Sequence, residues 1–156
     1  MTRYGPLVGR VNRIAQDIGR AVDRAETLAA RYRETGDEGY LDGVALNLHG
    51  FYTGVEQAFE TIGREVDGGV PSGANWHHDL LVQMAADLEG QRPAVWVEPT
   101  RACLEEYRGV RHVVRNVYTF QFTPARIDDL CRSLRPCYER VRSDLTRFTE
   151  FLQALE

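Results

Sequence analysis

The sequence predicts an all-α, up-and-down bundle of four long helices with a shorter helix inserted. Two observations predict it. Apolar residues recur at steps of three and four over long stretches, the period of a helix that buries one face. No stretch shows the two-residue alternation of a half-buried strand, and internal repeats and low-complexity runs are absent from the sequence. At 156 residues the chain is expected to form one domain, residues 1–156, with a sizeable core.

The first helix follows Leu7, Val11, Ile14, Ile18, Val22, Ala25, Leu28 and Tyr32, after a loose start from Met1 to Pro6. Thr35-Gly36-Asp37-Glu38-Gly39 ends it and begins the next. The second helix follows Leu41, Val44, Leu48, Phe51 or Tyr52, Val55, Phe59, Ile62 and Val66. Its interior holds Gly43, Gly50, Gly54 and Gly63, each costing up to about 1 kcal/mol of helix propensity relative to Ala. Gly43, Gly50 and Gly54 fall near one side, which suggests close approach of another backbone. Asp67 to Gly73 is a stop, and a shorter third helix runs from about Ala74 to Leu88. Glu89-Gly90-Gln91-Arg92-Pro93 breaks it, and an extended Ala94 to Val97 leads on. Pro99 suits the first turn of a fourth helix ending near Tyr118. Thr123-Pro124 reads as the start of the last helix, marked by Ile127, Leu130, Leu134, Val141, Leu145, Phe148 and Leu152. Pro136 inside it predicts a kink at the preceding turn.

Charge is mixed, with a net of −4, which argues against a protein that coats nucleic acid non-specifically but leaves room for a local basic site. All 19 basic residues are arginine, so every cationic contact has planar, bidentate geometry. Cys103, Cys131 and Cys137 are odd in number and lack paired metal spacing, so reduced thiols and a cytoplasmic location are expected. No charged-then-apolar leader opens the sequence, and no apolar run approaches the length of a membrane span.

The candidate site is the run from Arg108 to Tyr118. On a helix, Arg108, Arg111, His112, Arg115 and Asn116 fall within an arc of roughly 140°, with Val110, Val113, Val114 and Val117 mostly opposite. Tyr118 lies at the edge of that polar surface. Guanidiniums gathered on one arc suit phosphates. The competing reading is a solvated or salt-bridged face, with Glu105 and Glu106 as partners.

Arg111-His112-Val113-Val114-Arg115-Asn116-Val117-Tyr118 resembles Arg-x-x-x-x-His-x-Tyr, the motif of HEPN-domain ribonucleases of the HepT toxin type. The arginine, the polar residue after it and the tyrosine match, but Asn116 stands at the histidine position. The flanks are similar to a HepT-like family too, from Asn47-Leu48-His49-Gly50-Phe51-Tyr52 through Trp76-His77-His78-Asp79-Leu80-Leu81 to Tyr118-Thr119-Phe120. The resemblance implies a HEPN-like bundle. It implies the toxin of a type VII-like toxin–antitoxin pair: a metal-independent endoribonuclease needing no cofactor, usually a homodimer lining one cleft with two motifs. It also implies a minimal nucleotidyltransferase antitoxin that attaches AMP to the tyrosine, here Tyr118.

Cleavage of an RNA phosphodiester through its own 2′-hydroxyl needs a proton acceptor, a proton donor and stabilisation of a doubly charged phosphorane. Arg111, with Arg108 and Arg115, supplies the guanidinium forks that hold phosphate oxygens. Asn116 hydrogen-bonds but exchanges no proton near neutrality, so the expected catalysis is weak or absent. Either Asn116 is a substitution that disarms a toxic nuclease, or proton transfer has been lost or moved to His112, four residues earlier on the same face. A non-catalytic module that binds RNA or protein is the alternative function.

Elsewhere, His77 and His78 with Asp79 invite a metal, but neighbouring helical residues diverge by about 100°, and packing of Trp76 beside a helix start is expected instead. His49, beside Asn47, is expected as a core or interface polar group. Cys103 is expected as a small buried hydrophobe, and Phe51, Tyr52, Phe59, Phe120 and Phe122 as packing residues.

Overall fold

The computed structural model describes residues 3–110 and 123–155. Among them the chain is helical throughout, with one antiparallel bridge, Leu88 to Arg92, and no strand. Helix α1 is Gly5–Thr35, α2 Gly39–Ile62, α3 Trp76–Ala85, α4 Glu98–Arg108, α5 Pro124–Arg132 and α6 Leu134–Ala154. The all-α expectation holds.

α1 buries Leu7, Val11, Ile14, Ile18, Val22, Ala25 and Leu28, the row that the spacing picks out. It ends at Gly36, whose φ of 71° is left-handed and whose N–H reaches the Tyr32 carbonyl at 2.7 Å. α2 runs back along it. A Cβ at Gly43 would stand 2.6 Å from Leu28, and one at Gly54 2.7 Å from Ile18, so advancing along one helix means retreating along the other. What comes close to the α2 glycines is thus the Leu28 and Ile18 side chains of α1 at Gly43 and Gly54, not the backbone that was expected. Gly50 faces open space. The last turn of α2 widens into a π-turn, Gly63–Asp67, closed by Gly68 at φ 83°.

α6 packs antiparallel on the other side of α1, with Tyr138 against Gly19 and Arg135 paired to Asp23 and Glu26. α4 runs antiparallel to α6: the buried Asp144 carboxylate accepts from the Thr100 hydroxyl (2.6 Å) and the Val97 N–H (3.2 Å), and Cys103 lies one level on beside Cys137. Tyr107 closes the ring of helices. Its ring meets Phe51 of α2 edge-on, and its hydroxyl donates to the Leu130 carbonyl of α5 at 2.8 Å. Phe51, Phe59, Trp96, Tyr107 and Phe148 are wholly buried at the centre, each worth roughly 1.5–3 kcal/mol of apolar transfer.

Two expected helices are broken within the described residues. The last one divides at Ser133, three residues before Pro136, because proline lacks an N–H and its ring crowds the carbonyl four residues back. The fourth is interrupted at Gly109, the residue type with the weakest helix preference after proline.

Candidate functional site

α2 places Tyr52, Val55, Glu56 and Phe59 on one inward stripe, by steps of three and four. Three of these belong in a core; Glu56 is a carboxylate at a core position, 6% exposed. A buried charge is costly unless it is paired. The pairing comes from α3, where Nδ1 of His77 lies 2.5 Å from Oε2 of Glu56. An ionised carboxylate only accepts, so Nδ1 carries the proton and donates it, fixing the ring's tautomer and orientation. Trp76 lies over the His77 ring, centroids 3.6 Å apart at 31°, which limits how the imidazole can turn.

A cavity of about 340 Å³ opens beside this pair, lined from α2 by His49, Tyr52, Glu56 and Glu60 and from α3 by Trp76 and His77. The Tyr52 hydroxyl belongs to its wall. It is buried and makes no hydrogen bond of good geometry among the described residues. Burial first, then the charge of Glu56 and a hydrogen bond toward the Glu56 side chain, hold this phenol well above its usual range, so it stays a donor. The Arg108 charge acts on it in the opposite sense.

Arg108 is therefore the first arginine of the run and the one whose surroundings are described. Its Nη1 donates to Nδ1 of His78 at 3.0 Å, and its Nε pairs with Glu105 at 3.3 Å. A guanidinium cannot accept, so His78 is neutral at Nδ1. The salt-bridged-face reading is realised at this position. Arg111, His112, Arg115, Asn116 and Tyr118 lie outside the described residues, as do Phe120 and Phe122.

His77 and His78 turn to different partners, Glu56 and Arg108, as their divergence on a helix requires. Among the described residues no three His, Cys, Asp or Glu side chains gather as metal ligands would. Phe51, Tyr52 and Phe59 are buried packing residues, as expected, and Trp76 is half-buried. His49 is half-buried on the cavity wall, with the Thr53 hydroxyl 3.5 Å away. The cysteine expectation fails for two of the three. Cys103 is no isolated thiol but is joined to Cys137, while Cys131 is free and buried.

The match to known families decides what this frame belongs to. A family model described as HepT-like protein matches residues 43–152, which spans α2 through nearly all of α6. The chain belongs to the HepT-like family. No curated protein and no solved structure matches it. The cavity, Arg108 and the whole run to Tyr118 fall inside the matched part of this HepT-like chain.

Sequence reasoning missed Glu56 and Arg92. For Glu56 a signal existed: it is the acidic residue on an otherwise apolar stripe of α2. Arg92 was read as part of a loop break. In the structure it is 3% exposed, and its guanidinium grips Asp67 through Nε (2.6 Å) and Nη2 (2.8 Å) while donating to the carbonyls of Gln83, Ala86 and Pro93. It bolts the end of the π-turn to the segment after α3, and is a structural cation. Among the described residues no helix is long and apolar enough to cross a membrane.

Proposed function

We propose that this HepT-like chain is the toxin of a HEPN-type toxin–antitoxin pair, a metal-independent endoribonuclease weakened by asparagine at position 116. The family match over residues 43–152 supports the reading, since the run from Arg111 to Tyr118 lies inside the matched part. In this reading Arg108, Arg111 and Arg115 hold the RNA phosphates, and Arg111 stabilises the charge that builds on phosphorus. His112 is a secondary proton-transfer candidate. Tyr118 is the position at which a minimal nucleotidyltransferase antitoxin adds AMP; the added phosphate neutralises the arginines and blocks RNA. The protein works as a homodimer.

The test is RNA cleavage in EDTA by the natural chain and by Asn116→His. The histidine variant is expected to cleave about 10²–10⁴-fold faster, and Arg111→Ala in that background to lose about 10²–10³-fold. RNA left intact by the histidine variant, with the fold unchanged by circular dichroism, overturns the nuclease reading. Asn116 itself favours the second reading, a helical module that binds RNA or protein without cutting. RNA binding by both forms with cleavage by neither is its signature.

A further inference from the structure

We propose that the Cys103–Cys137 link is a redox switch on the arginine run. Closed, it holds α4 in the position that RNA cleavage needs; opened by thiols, it lets that helix shift against α6. The inference rests on the nuclease reading and adds to it a means of control.

Three observations carry it. The first is that the two sulfurs are unequally reachable. Cys137 on α6 is 1% exposed, whereas Cys103 on α4 is half-buried. A thiolate arriving from solvent therefore attacks at Cys103. The second is that the fold has a place for the open state. The Thr100 carbonyl lies 3.2 Å from Sγ of Cys103 and accepts from its thiol once the link is broken. Cys137 sits in the apolar core, where a free cysteine packs as a small hydrophobe. The hold of Asp144 on the Thr100 hydroxyl and the Val97 N–H involves no sulfur, so α4 stays docked on α6 when the link opens.

The third is where the movement goes. Two thiols cannot share the space of one bond, and unlinked sulfurs part by roughly 2 Å to van der Waals distance. α6 has 21 residues and walls Cys137 in, while α4 has 11, so α4 is the side that gives. Tyr107, one turn beyond Cys103, keeps α4 tied to Phe51 of α2 and Leu130 of α5. The movement is thus a tilt about that anchor. It is felt at Arg108, the first arginine of the run, which is held to Glu105 and His78 by exposed contacts. A misplacement of about 1 Å can cost a nuclease of this kind about 10²-fold in rate.

The co-reactant is a monothiol–disulfide couple of the glutathione class. One thiolate attacks Sγ of Cys103; the bond to Cys137 breaks, and Cys137 leaves as a thiolate and takes a proton. A second thiolate attacks the small-molecule sulfur now on Cys103, releasing the Cys103 thiol and the oxidised couple. Two electrons pass from two small thiols to the link, and closure is the same exchange reversed.

The experiment equilibrates the natural chain and Asn116→His with glutathione at graded ratios of reduced to oxidised form. The open fraction is counted by alkylation and mass. Opening is expected within that range, with faster amide hydrogen exchange over residues 98–108 in the open form. Cleavage of single-stranded RNA in EDTA by Asn116→His should fall by up to about 10²-fold on opening and return on re-oxidation. Cys103→Ser and Cys137→Ser in that background should cleave at the open rate at every ratio, while Cys131→Ala should still switch. Thermal melts keep unfolded variants apart from switched ones. A link that stays closed at every ratio is a fixed staple and overturns the inference. Equal cleavage by the open and closed forms also overturns it and leaves the nuclease reading intact. RNA left intact by every form overturns the nuclease reading, and control of cleavage with it; the exchange over residues 98–108 then still shows whether the link governs α4.

Discussion

Cys131 is the free thiol, 4% exposed on α5, and burial pushes it from its ordinary 9.0 up to about 11. The sign of the consequence follows from linkage. An acid whose folded pKa is raised holds its proton longer in the native state, so its contribution is complete below pH 9 and is lost as pH climbs toward 11. Between pH 8 and pH 10 the loss is about 1 kcal/mol for this thiol. The buried phenols of Tyr52 and Tyr107 shift the same way and add to the slope above pH 10. Urea midpoints at pH 8 and pH 10 should therefore differ by less in Cys131→Ala than in the natural chain, the phenols acting equally in both. Equal differences would mean that Cys131 is not shielded. Such burial was not legible residue by residue. Cysteine spacing separates no paired thiol from a free one, whereas the partners of Glu56 and Arg92 come from segments 21 and 25 residues distant.

At the scale of elements, periodicity did most of the work and punctuation the rest. The apolar rows of α1, α2 and α6 are the rows found buried, because one-sided burial is what the 3.6-residue period encodes. The division at Ser133 was announced by Pro136, which predicts a break at the preceding turn, whereas one glycine, Gly109, is too weak a signal to predict an interruption by itself. The Cys103–Cys137 link likewise joins helices α4 and α6, whose adjacency belongs to the fold and not to either segment. It closes a loop with a sequence separation of 34 residues, and in the chain-entropy view such a loop contributes about 3–4 kcal/mol. Reduction should lower the unfolding free energy by that amount and the urea midpoint with it, and Cys137→Ser should have the lower midpoint already and ignore reductant. Alkylation of the unfolded, unreduced chain should label one thiol, and after reduction three. Three labels without reductant would show that the link does not form. α4 is the helix that leads into Arg111, so the same samples show whether pinning it to α6 matters for RNA cleavage.

The whole molecule divides its evidence between a frame and a surface. The frame is a ring of α1, α2, α4 and α6, and it was legible because each helix carries its own apolar stripe. The surface at which the arginines work was legible only as a motif, since the residues from Arg111 to Tyr118 lie outside those described. Gly43 and Gly54 are already occupied by α1 and offer no packing face to a second copy. A chemical reason for pairing remains. A single copy brings one Arg111, whereas a phosphodiester cleavage moves two protons and gathers charge on phosphorus. Two motifs facing one cleft would double the cationic groups on the same phosphate. A dimer mass is therefore expected by light scattering at micromolar concentration. If the cleft is shared, the specific activity of Asn116→His should fall on dilution in step with the dimer fraction. A monomeric mass with specific activity unchanged over the same dilution series would make the cleft the property of one chain.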